Sequence, residues 1–138
     1  GFAFKSETND TRESPAIGIC KKLLEESCNL KIYDPKVNED QIELDLISKQ
    51  SSEVKDKDYG TFEKVDSIHE SVINSDAIII ITEWSEFKDL NFLELIKVMR
   101  KPSWIFDSRG IINKTKAISA GFNVWEIGVG GEIERCLF

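Results

Sequence analysis

Asp76-Ala77-Ile78-Ile79-Ile80-Ile81-Thr82-Glu83-Trp84 is the stretch on which the fold turns. A half-exposed strand would alternate apolar and polar residues, and Ala77 to Ile81 does not. A membrane span would need about 20 apolar residues, so this run is far too short. A short β-branched run bounded by polar residues reads as a central strand of a parallel sheet, covered on both faces.

Helical patterns lie on either side of it. Ser67 to Ser75 reads as a short helix before the strand, and Phe92 to Arg100 as the helix after it, with Phe92, Leu95, Ile96 and Met99 on one stripe. Pro102 ends that helix, and Trp104-Ile105-Phe106 is a second buried strand. Ile112 to Ala120 is helical again, with Gly121 as a left-handed cap, and Phe122 to Ile127 closes the series as a strand. Toward the start, Ser14 is a good N-cap and Pro15 suits the first helical position, because its missing N–H would be unpaired there anyway. Ala16, Ile19, Cys20, Leu23 and Leu24 follow at helical spacing, and the helix should end near Ser27. Leu30 to Asp34 alternates as a strand that Pro35 stops. Lys36 to Gly60 is polar, with room for one short helix or an irregular insertion. Regular alternation of helix and strand specifies an α/β domain, a Rossmann-like three-layer sandwich with a mainly parallel sheet. The first helix lacks a preceding strand, so Gly1–Phe4 is expected to be the stub of a truncated first strand.

The 138 residues fit one domain spanning 1–138. Eighteen Lys plus Arg against twenty-five Asp plus Glu give a net charge of −7, which argues against nucleic acid and anionic membrane surfaces. A hydrophobic fraction of 41% with 31% charged residues is too apolar for a disordered chain. Cys20, Cys28 and Cys136 are odd in number and form no CxxC, so reduced packed thiols in a cytoplasmic protein are expected. His69 is the only histidine and has no partner at ligand spacing, so no metal site is expected.

In such sheets ligands bind beyond the carboxyl ends of the strands. Four segments fall there. From Phe4 the chain passes Lys5, Thr8, Asp10 and Arg12 to the helix cap at Ser14, placing two cations near a helix start that attracts anions. The alternative is a solvated loop whose charges Glu7, Asp10 and Glu13 neutralise. Thr82-Glu83-Trp84 could contact a ribose or base; equally, Trp84 could cap the core and Glu83 the next helix. Asp107-Ser108-Arg109-Gly110 offers a guanidinium that can fork onto a phosphate, against the alternative of an Asp107–Arg109 surface pair. Gly128-Val129-Gly130-Gly131 lacks the third glycine and the following helix of a dinucleotide fingerprint and reads as an exit from the domain. Neither a Walker loop, a Gly-x-Ser-x-Gly elbow nor a Cys–His pair occurs, so the residues show no complete catalytic apparatus.

Four motifs carry a resemblance, in order along the chain. Gly1-Phe2-Ala3-Phe4-Lys5 with Thr8 and Asp10-Thr11-Arg12-Glu13-Ser14, then Ile32-Tyr33-Asp34-Pro35-Lys36-Val37, Thr82-Glu83-Trp84 and Phe106-Asp107-Ser108-Arg109 resemble the C-terminal UDP-binding domain of UDP-glucose 6-dehydrogenases, in the UDP-glucose/GDP-mannose dehydrogenase family. The similarity runs from Gly1 to about Gly128. The resemblance implies an NAD-dependent oxidoreductase that turns UDP-glucose into UDP-glucuronate with two NAD⁺. Its NAD-binding domain, central helical part and nucleophilic cysteine are expected outside this stretch, which alone should be inactive. It implies that Phe4, Lys5 and Arg109 contact the nucleotide sugar and that Arg12 reaches toward NAD⁺ on the N-terminal domain of the same protein. Family members form oligomers, so a homo-oligomer is expected. Ser6 stands where many members carry a second lysine, and Ser108 where glycine is frequent. A dehydrogenase of another nucleotide sugar, GDP-mannose or a UDP-N-acetylhexosamine, and a non-catalytic nucleotide-binding module are the rival readings.

Overall fold

The computed structural model describes residues 1–47 and 59–129. Among the described residues, five parallel strands alternate with five α-helices. In chain order these are α1 (Pro15–Glu25), β1 (Leu30–Ile32), α2 (Glu39–Ile47), β2 (Phe62–Lys64), α3 (Ile68–Val72), β3 (Ala77–Ile80), α4 (Phe92–Val98), β4 (Trp104–Asp107), α5 (Lys114–Ala120) and β5 (Asn123–Glu126). A 3-10 helix, Ser85–Asp89, separates β3 from α4.

Local chemistry explains most boundaries. Ser14 caps α1 by accepting the Ala16 N–H and donates its own hydroxyl to the Phe2 carbonyl at 2.7 Å, so the cap also ties the helix to the start of the chain. Asn113 caps α5 through the Lys116 N–H, and Gly121 ends it at φ 108°, a conformation that costs glycine little. The core fills between the helices and the strands, with Phe2, Ile42, Val72 and Ile105 among its fully enclosed side chains.

The sheet differs from the expectation in three ways. Phe62–Lys64, unmarked by any clear alternation, pairs with β1, with Leu30 opposite Phe62. The strands form two sheets, β1-β2 and β3-β4-β5, so β3 lies at an edge and not at the centre. Its face is also open. Ile79, Phe106 and Trp125 lie side by side across β3, β4 and β5, and Ile79 and Trp125 remain 37% and 45% exposed. Finally, Gly1–Phe4 is not a strand stub. Its backbone crosses the strand ends, where side chains satisfy its polar groups: Asp34 accepts the Phe2 and Ala3 N–H groups, and Thr82 donates to the Ala3 carbonyl. A cleft lined by Gly1, Tyr33 and Ile79 separates the β1 and β3 edges.

Candidate functional site

The chain leaves the first sheet after β2 and enters the second at β3, and the carboxyl ends of β1 and β3 border the crevice between the two sheets. Such a crevice is where open α/β sheets bind ligands. Gly1–Lys5 lies across it. Gly1 fits there because it has no side chain: a Cβ would stand 2.4 Å from the Thr82 Cβ. Beyond the anchored pair Phe2 and Ala3, Phe4 is 44% exposed and Lys5 is exposed, with no hydrogen-bond or ion-pair partner for Lys5 among the described residues. The Phe4 N–H donates to the Asp10 carbonyl at 2.7 Å and closes the intervening residues into a loop.

Asp34, just past β1, organises the interior side. Its Oδ2 accepts the N–H groups of Phe2 (2.7 Å) and Ala3 (2.9 Å) and the Trp84 indole (3.1 Å), while its Oδ1 accepts those of Lys36 (2.9 Å) and Val37 (3.0 Å). The residue is 2% exposed. Burial alone would raise its pKa; the backbone N–H groups of Ala3, Phe2, Lys36 and Val37 outweigh it and hold the carboxyl below its ordinary value. A signal for this residue was present in the sequence, since a carboxylate ahead of Pro35 at a strand end meets the same positional rule as the other loops.

Thr82-Glu83-Trp84 divides between two roles. Thr82 and Trp84 are buried and serve the interior, whereas Glu83 bridges two of the expected site segments. Its Oε1 accepts the Ser6 N–H at 3.3 Å, and its Oε2 lies 3.4 Å from Arg109 Nε without forming a hydrogen bond. Arg109 Nε instead donates to the Ile81 carbonyl at 2.6 Å, which leaves both Nη groups without a partner among the described residues. Glu83 therefore links the backbone next to Lys5 to the turn that presents Arg109.

The Asp107–Arg109 surface pair does not form. Asp107 is fully buried and receives the backbone N–H groups of Arg109, Gly110, Ile111 and Ile112 at 2.8 to 3.0 Å, shaping the turn that presents Arg109. Arg12 is engaged elsewhere. Its Nε and Nη2 contact Asp10 at 2.7 to 3.2 Å, and the side chain is 87% exposed. Hydrogen bonds from that guanidinium lower the Asp10 pKa to about 2, with help from the Arg12 backbone N–H. The structure thus brings the Ser6 backbone and the Arg109 side chain to Glu83, leaves the Lys5 side chain exposed, and pairs the solvent-facing Arg12 with Asp10. Of the last loop, Gly130 and Gly131 lie outside the described residues, as does Cys136; Cys20 is buried, Cys28 half-buried, and both are free thiols.

Fold and site together define a parallel α/β domain with a crevice at its strand ends. The family model for the UDP-glucose/GDP-mannose dehydrogenase family, UDP binding domain, matches residues 1–114, and the chain belongs to that family. It is 42% identical over 136 residues to UDP-glucose 6-dehydrogenase 2 of Arabidopsis thaliana, covering 93% of this chain and 28% of the relative. It is likewise 42% identical over 128 residues to UDP-glucose 6-dehydrogenase of Drosophila melanogaster, covering 93% and 27%. Among solved structures, NDP-N-acetyl-D-galactosaminuronic acid dehydrogenase from Methanosarcina mazei Go1 superposes with a TM-score of 0.64 at 26% identity, over 93% of this chain and 23% of that one. The chain therefore spans about a quarter of the length of the relatives it matches. No helix among the described residues is long and apolar enough to cross a membrane.

Proposed function

We propose that this chain is the UDP-binding C-terminal domain of an NAD-dependent UDP-glucose 6-dehydrogenase, in which Phe4, Lys5 and Arg109 hold the UDP moiety. The link through Glu83 carries the reading: it holds the Ser6 N–H next to Lys5 and lies 3.4 Å from Arg109, so the two cation-bearing segments meet at one strand-end crevice, which suits a diphosphate. The exposed Phe4 ring, next to Lys5 in the chain, offers a face to the nucleotide or sugar. Binding the remote UDP group would orient glucose C6 toward catalytic groups contributed by the N-terminal domain. NAD⁺ supplies hydride acceptance in such an enzyme. Arg12 suits a contact with it, since Asp10 fixes one edge of the guanidinium while the side chain stays open to solvent. The family resemblance supports a homo-oligomer whose substrate and product are UDP-glucose and UDP-glucuronate. The free thiols Cys20 and Cys28 support a cytoplasmic setting.

The similarity to the Methanosarcina enzyme favours a second reading, a nucleotide N-acetylhexosamine substrate. Chemical-shift mapping with UDP, UDP-glucose, UDP-N-acetylgalactosamine and GDP-mannose tests the proposal. It requires uridine nucleotides to shift Phe4, Lys5 and Arg109; a preference for GDP-mannose, or shifts elsewhere, contradicts it.

A further inference from the structure

We propose that Asp34 is a positioning residue for the nucleotide ligand, fixing Phe4 and Lys5 in the crevice by clamping the backbone immediately before them; this rests on the site assignment just made. Three separate parts of the chain converge on the one carboxylate. Phe2 and Ala3 come from the segment that bears the ligand groups, Lys36 and Val37 from the turn after β1, and the Trp84 indole from the turn after β3. No β-ladder joins the two sheets among the described residues, so side chains link their strand ends: this hub, the Thr82 bond to the Ala3 carbonyl, and Tyr33, which donates to Glu86 and packs against Phe87. Lys5 lies on one side of that junction, and Arg109 bonds the Ile81 carbonyl on the other. Asp34 needs no contact with ligand to matter. If its oxygens stop accepting, the backbone that carries Phe4 and Lys5 loses its anchor relative to the Arg109 turn, and the two cations can no longer be brought to one diphosphate without extra ordering cost.

A carboxylate is required because five donors point at it and it has none of its own. Asparagine keeps the size but turns one oxygen into a donor facing donors, at either the Oδ1 or the Oδ2 side.

The test is calorimetric titration of the chain with UDP, alone and as Asp34→Asn, Lys5→Ala and the double variant, with the Trp84 indole N–H followed by NMR. The unsubstituted chain must bind UDP; if it does not, the functional reading falls and this one with it. Given that binding, Asp34→Asn should shift the Trp84 indole resonance, retain the dispersion of the remaining amides and weaken UDP at least tenfold. Lys5→Ala should then add less than threefold in the Asp34→Asn background, although it costs more on its own, because Asp34 acts through Lys5. Unchanged affinity with a shifted indole, or fully additive losses, overturns the proposal. Should Asp34→Asn fail to fold, Trp84→Phe removes one donor and leaves the carboxylate; it should weaken UDP threefold or more, and unaltered affinity there overturns the proposal equally.

Discussion

Glu83 and Arg109 lie 3.4 Å apart, yet the guanidinium Nε gives its hydrogen bond to the Ile81 carbonyl and not to the carboxylate. Glu83 therefore places negative charge beside Arg109 without occupying its remaining donors. A ligand phosphate arriving at Arg109 must work against that charge.

Glu83→Gln should accordingly tighten UDP binding. The amide oxygen can keep the Ser6 N–H while the competing charge disappears. Both side chains are about one-third exposed, so the gain should stay near 0.5–1 kcal/mol, or two- to fivefold in affinity. Calorimetry at fixed ionic strength measures it, and weaker binding would show that Glu83 serves the site by holding Ser6 and not by its charge.

Asp107→Ala should destabilise the domain by about 3 kcal/mol or more. Four backbone N–H groups lose their acceptor at a fully buried position, and each unsatisfied donor costs roughly 1–3 kcal/mol unless water reaches it. Urea unfolding monitored by circular dichroism gives the value. A loss below about 1 kcal/mol would mean that the turn relaxes into solvent.

Asp34 also predicts a pH dependence. Its carboxyl pKa is lower in the folded than in the unfolded chain, so the unfolded chain binds the proton more readily. Its contribution to stability is complete above the unfolded value of about 3.9 and is lost as pH falls through the lower folded value. Urea midpoints measured from pH 6 downward should fall at the acid end, and less steeply in Asp34→Asn. Parallel curves for the two proteins would remove Asp34 as the cause.

Thiol chemistry should separate two cysteines. Burial raises the Cys20 pKa to about 11, whereas Cys28 is half-buried near the end of α1. Iodoacetamide at pH 8, read by peptide mass spectrometry, should modify Cys28 first and Cys20 only on unfolding. Equal rates would show that α1 opens readily.

Elements with a local cause were legible from sequence. Ser14 with Pro15 marks α1 and Gly121 marks the end of α5, because caps depend on residues within one turn. Pairing was less legible. Phe62–Lys64 alternates only weakly in burial and becomes a strand through β1, 32 residues away in the chain. The isoleucine run suggested a central strand because apolarity on both sides reports the composition of a strand and not its neighbours. At the site, Lys5 and Arg109 were singled out by their position at strand ends. What joins them was not: Glu83 meets Ser6 across 77 residues, and Trp84 meets Asp34 across 50. No sequence pattern encodes which donors a folded chain will bring to one carboxylate.

Lys5 and Arg109 acting together as a diphosphate site is what the proposed function stands on. Its most direct test is calorimetric titration of UDP into the unsubstituted chain and into Arg109→Ala, with circular dichroism confirming that both are folded. Binding should be measurable, and Arg109→Ala should weaken it by about 1.5–3 kcal/mol, the worth of a charge-assisted hydrogen bond. Equal affinity in the two proteins would contradict it.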